Sequence, residues 1–155
     1  LCLVFRLRRS QRREQKVSGD TDVLLRYLLQ DDKRQADKAN KLIKSHESVL
    51  VSDVVLVEAV WTLAGRRYKL DPESIARVIR SLFEEPTLVF QDPDTVWRAL
   101  SDFQVHNATS LGNIGFPDAL ALSTGKATAA LWGEPFAGFY TFDAAAQKMS
   151  GARAP

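Results

Sequence analysis

Short β-rich runs alternate with longer helical patterns along this chain, and that alternation narrows its choice of fold more than any other feature. Strands separated by helical crossovers of this length cannot pair as hairpins, so they form a parallel sheet covered by helices. Val17 to Gly19 reads as a first strand, and Val23, Leu24, Leu25, Tyr27, Leu28 and Leu29 as the stripe of the helix after it. Asp31 and Asp32 stop that pattern before a polar helix from about Lys33 to Ser45, where Ala36, Ala39, Leu42 and Ile43 recur at helical spacing. Val49 to Val51 form a second buried strand. Ser52 or Asp53 caps a helix from Val54 to Gly65 that is apolar on nearly every side, which predicts an interior position. Asp71-Pro72-Glu73 and Asp92-Pro93 are helix starts on either side of a short strand, Leu88 to Phe90. Phe116-Pro117-Asp118 opens a helix to about Ala130, and Phe139 to Phe142 form the last strand. The result is a doubly wound α/β sandwich of four strands, whose ligands belong beyond the strands' carboxyl ends.

A chain of 155 residues, 45% hydrophobic and 26% charged, can bury one core and has no room for a second full domain. Its formal charge of +2 is misleading, because residues 1 to 16 carry +5 and residues 17 to 155 carry −3. The body is acidic and offers no broad basic footprint for a polyanion. Residues 1 to 15, beginning with Leu, are expected to be a basic appendage, disordered or non-native upstream translated sequence, and residues 150 to 155 a C-terminal tail. Cys2 stands alone, which excludes an internal disulfide and a thiolate metal site. Leu1 to Phe5 is too short for a signal h-region, and no window approaches a span of about 20 apolar residues. A soluble, cytoplasmic protein is expected. Trp61 and Trp97 are expected in the core, and His46 and His106 in polar surroundings.

Four carboxylates draw attention. Asp20 and Asp143 follow the first and last strands, where an open α/β sheet places its site, although an aspartate there can also simply cap the next turn. Glu58 lies in a helix with no polar face, and an unpaired carboxylate buried there would cost several kcal/mol. No basic residue stands one turn away, and Thr62 is its only polar neighbour. Asp118 occupies a first helical turn, where the helix dipole alone would favour it by roughly 0.3–1 kcal/mol. Four carboxylates from four elements, without Cys or His at ligand spacing, make a hard oxygen set suited to Mg²⁺ or Mn²⁺ and to phosphodiester hydrolysis.

The run Asp20-Thr21-Asp22-Val23-Leu24-Leu25-Arg26-Tyr27-Leu28, with Val57-Glu58, Phe116-Pro117-Asp118-Ala119-Leu120 and Thr141-Phe142-Asp143, resembles the PIN-domain ribonucleases, especially the VapC-like toxins of bacterial toxin–antitoxin pairs. The resemblance spans residues 16 to 149. It implies a PIN-like three-layer α/β/α sandwich with a mostly parallel central sheet. It also implies a Mg²⁺- or Mn²⁺-dependent endoribonuclease, commonly a homodimer, inhibited by a cognate antitoxin that reaches DNA as a repressor. Asp20, Asp118 and Asp143 would then hold metal, Glu58 would help bind it or orient the water, and Thr21 and Thr141 would support the site. Substrate phosphate would use the metal and local cations, with Arg26, Lys33, Arg34, Arg66 and Arg67 as candidates. The chain departs from the family in having Asp22 where Asn is usual, Gly115 where many relatives are acidic, and a first strand about one residue short.

Two rival readings use the same residues. Asp20-Thr21-Asp22-Val23 fits the start of haloacid-dehalogenase-like phosphatases, with Asp20 as nucleophile and Asp22 as general acid/base, but this leaves Glu58 and Asp143 without a role. A PIN-like scaffold that binds RNA or a partner without cutting is the other.

Overall fold

The computed structural model describes residues 16–109 and 112–155. The basic segment of residues 1 to 15 therefore lies outside the described residues. Strands β1 (Lys16–Ser18), β2 (Ser48–Val51) and β3 (Leu88–Phe90) form a parallel sheet in the order β1-β2-β3. Helices α1 (Thr21–Leu29) and α2 (Lys33–Ser45) join β1 to β2, and α3 (Asp53–Ala64) and α4 (Pro72–Glu84) join β2 to β3. Helices α5 (Pro93–Asn107) and α6 (Phe116–Trp132) lead to β4 (Phe139–Tyr140), a 3₁₀ turn at Ala146–Lys148 and β5 (Ala152–Arg153). This is the expected α/β/α class with parallel strands.

The helix starts follow from their capping residues. Asp20, Asp32, Ser52, Asp71 and Asp92 each accept a hydrogen bond from a main-chain amide three residues on, satisfying a donor the helix cannot. Pro72 and Pro93 occupy first helical positions, where a missing amide costs nothing. Leu56, Leu63, Ile79, Val96, Leu100 and Phe116 fill the centre of the core.

Two expectations about packing are corrected. Helix α3 is not interior on every side: it buries Leu56, Ala59, Val60 and Leu63, one stripe at helical spacing, while Val54, Glu58, Trp61 and Thr62 face solvent. A sheet of three short strands covers only one stripe of a helix, and an apolar residue on the opposite side has nothing to pack against. Trp61 is 63% exposed, and Trp97, also outside the core, sets its ring edge-on to Phe83 with centroids 5.3 Å apart. His106, by contrast, is buried.

The second correction concerns the last strand. β4 does not extend the main sheet but pairs in parallel with β5, aligning Phe139 with Ala152 and Tyr140 with Arg153. Residues 150 to 155, expected as a tail, thus contribute a strand. The Phe139 and Thr141 amides donate to the carbonyls of Gly151 and Arg153 at 2.8 and 3.1 Å.

Candidate active site

Asp20 ends the turn after β1 and holds the first turn of α1 by accepting the Val23 amide at 3.0 Å. Its side chain therefore caps a helix and is also solvent-exposed. The next residue, Thr21, reaches across to α3 and donates its hydroxyl to Glu58 Oε2 at 2.5 Å. This corrects the expected environment of Glu58: the carboxylate is exposed rather than buried, and its partner comes from α1. Thr62 instead donates to the Glu58 main-chain carbonyl at 2.8 Å. Proximity of α1 to α3, which no local pattern reveals, makes the Thr21 contact.

The other two carboxylates meet at the opposite side of the chain's midpoint. Before α6, the Asn107 side chain accepts the Ile114 amide at 2.9 Å and donates to the carbonyls of Phe103 and Ile114. These bonds tie the end of α5 to the entry of α6. Gly115 caps α6 without a side-chain bond, and a Cβ there would lie 3.2 Å from Asp118 Oδ2. Glycine at this position therefore leaves the Asp118 carboxylate uncrowded. After β4, the Asp143 amide donates to Thr141 Oγ1 at 3.1 Å, and Asp143 Oδ1 accepts the Ala146 amide at 2.7 Å. Thr141 is itself fixed by Gln147, whose side-chain amide donates to its carbonyl at 2.8 Å.

Asp118 and Asp143 are near enough to interact. Burial holds the Asp118 pKa above the usual carboxylate value, and the negative charge of Asp143 raises it further, with the Gly115 main chain offsetting part of the rise. A half-buried carboxylate whose ionisation is opposed by a neighbouring carboxylate is the electrostatic imprint of a place that favours a cation. The donor set is all hard oxygen, which fits Mg²⁺ or Mn²⁺. The four candidates are nevertheless gathered as two groups, Asp20 with Thr21 and Glu58, and Asp118 with Asp143. Among the described residues, no three His, Cys, Asp or Glu side chains converge closely enough to hold a metal ion. The division follows the sheets: Asp20 and Glu58 ride on β1 and the helix after β2, whereas Asp143 follows β4 in the separate two-stranded sheet.

A further acidic pair lies at the carboxyl ends of β2 and β3. Asp53 has its pKa raised by burial first and by Asp92 second, and its Oδ1 is buried without a hydrogen-bond partner. Asp92 is held below the usual value by the hydroxyl and amide of Thr95, at 2.6 and 3.0 Å. In the sequence both stand only as helix starts, and their juxtaposition depends on the β2–β3 register. Among the candidate cations, Arg26 is engaged by Asp31 at 2.7 Å, and Arg67 stacks over Tyr68.

No curated protein gives a significant match to the chain. A comparison with protein-family models matches the PIN domain over residues 19–148, most of the chain and all four candidate carboxylates. That match supports the PIN-domain reading of the chain and gives the phosphatase reading of Asp20 and Asp22 no support.

Proposed function

Because the chain belongs to the PIN-domain family, whose members are generally metal-dependent nucleases, we propose that it is a Mg²⁺- or Mn²⁺-dependent endoribonuclease, the VapC-like toxin of a toxin–antitoxin pair. The observation that carries this reading is Asp118 beside Asp143, a half-buried carboxylate whose ionisation is opposed by its neighbour and would be relieved by a cation. Asp20, Asp118 and Asp143 would hold the ion. Glu58, steadied through one oxygen by Thr21, would bind it or orient a water. The chemistry such an ion supplies is activation of the attacking water and stabilisation of charge on the phosphodiester.

The protein's own contribution is placement. Thr141 and the Ala146 amide fix Asp143, Asn107 fixes the approach to Asp118, and Gly115 leaves space beside that carboxylate. We further propose a cognate antitoxin as inhibitor, a homodimer as the working assembly, DNA contact only through the antitoxin, and a cytoplasmic location. No helix among the described residues is long and apolar enough to cross a membrane.

The test compares RNA and a generic phosphomonoester, with and without Mn²⁺, for the parent chain, Asp22→Asn and Glu58→Ala. The expected result is metal-dependent RNA cleavage, lost in Glu58→Ala and retained or improved in Asp22→Asn, which restores the residue usual in the family. Phosphomonoester turnover abolished by Asp22→Asn would overturn the reading. So would folded protein that cuts neither substrate, the outcome of a binding module.

A further inference from the structure

The residue between Thr141 and Asp143 is Phe142, and at 89% exposure it is the most exposed of the large hydrophobic side chains among the described residues. Tyr140, two positions earlier, is 55% exposed. They alternate with the half-buried Phe139 and Thr141, so both rings stand on the solvent side of β4 and the segment leaving it. Leaving two aromatic rings in water forgoes burial that their size would reward, and among the described residues neither has another ring packed on it.

A cation is built into the same face. Arg153, on β5, places its guanidinium 5.3 Å from the centroid of the Tyr140 ring and donates to the Ala137 carbonyl. Gly138 makes this possible: with φ of +146°, it takes a backbone conformation that side chains disfavour, and a Cβ there would meet Arg153 Nε at 2.6 Å. The exposed arginine thus lies against a ring, a main-chain carbonyl and the open side of a glycine. The open Phe142 ring, the half-exposed Tyr140 ring with Arg153 against it, and that guanidinium, continuous with Asp143, supply flat surfaces for bases and a positive charge for phosphate.

We propose that Tyr140, Phe142 and Arg153 form a stacking platform that seats unpaired nucleotides of an RNA beside Asp143. This deepens the ribonuclease reading and rests on it. Phe142 stacks on a base next to the scissile phosphate, Tyr140 takes a neighbouring base, and Arg153 meets the backbone between them. A duplex, whose bases are already stacked on one another, offers no free face to these rings, so the platform selects single-stranded segments. The body's net negative charge makes the selection sharper, since charge alone gives little affinity for either form.

The experiment measures binding without cleavage. Fluorescence anisotropy in EDTA, using a short labelled single-stranded RNA of mixed sequence and the corresponding duplex, is applied to the full chain and to Phe142→Ala, Phe142→Trp, Tyr140→Ala and Arg153→Gln. Phe142→Ala is expected to weaken single-strand binding about tenfold and Tyr140→Ala about fivefold, while Phe142→Trp retains it. Arg153→Gln is expected to weaken binding and flatten its salt dependence. Duplex binding stays weak in all of them. Unchanged affinity in Phe142→Ala overturns the platform, as does equal loss in Phe142→Trp. A change of oligomeric state in Phe142→Ala, read by sedimentation with RNA affinity unaltered, overturns it in favour of an interface between copies. The two readings fail separately: cleavage that survives Phe142→Ala with unchanged KM leaves the nuclease standing without the platform. Ring-dependent binding without any metal-dependent cleavage leaves the platform standing without the nuclease.

Discussion

Asp53 beside Asp92 and Asp118 beside Asp143 are both pairs in which burial and a neighbouring carboxylate hold one member's pKa up. Their surroundings differ. In the first pair, Asp92 spends both oxygens on Thr95, and the Asp53 Oδ1 is sealed from solvent. In the second, Asp143 commits Oδ1 to the Ala146 amide and is otherwise exposed, and Asp118 is half-buried, as Asp53 is. Crowded negative charge is thus common to both, and Asp53 Oδ1 lacks a hydrogen-bond partner, but an exposed member that a ligand can reach belongs only to the second. The comparison teaches that a perturbed carboxylate marks a chemical site only where a ligand can reach it.

The sharpest way to break this comparison is to neutralise one member of each pair. Asp118→Asn is expected to lower metal-dependent RNA cleavage by at least about 100-fold, a loss of the size that follows disruption around a bound ion. Asp53→Asn is expected to leave cleavage unchanged. Equal loss in both, measured as kcat/KM on folded protein, would mean that the β2–β3 end of the sheet takes part in the reaction.

A smaller effect is expected one step from the carboxylates. Thr21→Val removes the hydroxyl that holds Glu58 Oε2 and should reduce cleavage about tenfold, with Thr21→Ser restoring it. Rescue by serine separates a hydrogen bond from packing. An unchanged rate in Thr21→Val would leave Glu58 self-sufficient and detach α1 from the site.

How much of this was legible beforehand depends on the range of each interaction. Caps and prolines act within one turn, so the starts of α1, α4, α5 and α6 follow from Asp20, Asp71-Pro72, Asp92-Pro93 and Phe116-Pro117. Asp20, Asp118 and Asp143 were also legible, because they sit at element ends that local patterns locate, and Glu58 because it is the one acidic residue in the apolar run of α3 after its first turn. Exposure was not, since it depends on what packs against each face: Glu58 and Trp61 lie on apolar-looking α3 yet face solvent. Pairing was not either. Nothing local to Phe139 and Tyr140 says that Ala152 and Arg153 will be their partners, or that Thr21 will meet Glu58.

Stability offers a third test of the comparison. Asn107→Ala cuts the bonds between the end of α5 and the entry of α6 and should cost about 1–3 kcal/mol in urea unfolding, because it leaves part-buried main-chain groups unpaired. Cleavage should fall with it even at temperatures where the variant is fully folded, since Asp118 is placed by that segment. Asp92→Ala, which removes the cap of α5, should cost about 1 kcal/mol and leave cleavage intact. Full activity in Asn107→Ala would show that α6 finds its position without the clamp.

The smallest effect is the one in which the two pairs should behave alike. Asp53 and Asp118 keep their protons in the folded state to higher pH than in the unfolded chain. Between the two pKa values the unfolded chain binds fewer protons, so stability falls as pH rises, and the penalty is complete once both states are ionised. For Asp118, the raised pKa means that burial and Asp143 together outweigh the Gly115 main-chain hydrogen bond. Replacing either residue with Asn should therefore raise Tm by a few degrees at pH 7, with the gain fading as the solution is acidified and gone below about pH 4, the ordinary aspartate value. Asp92, whose pKa is lowered, works in the opposite direction: its contribution is present above that range and lost as pH falls through the depressed value. Melting curves of the three variants across pH would show two stabilised and one destabilised at neutrality, converging in acid. Added Mn²⁺ then divides the alike pair, because an ion that relieves Asp118 beside Asp143 should stabilise Asp53→Asn as it does the parent chain and should stabilise Asp118→Asn much less.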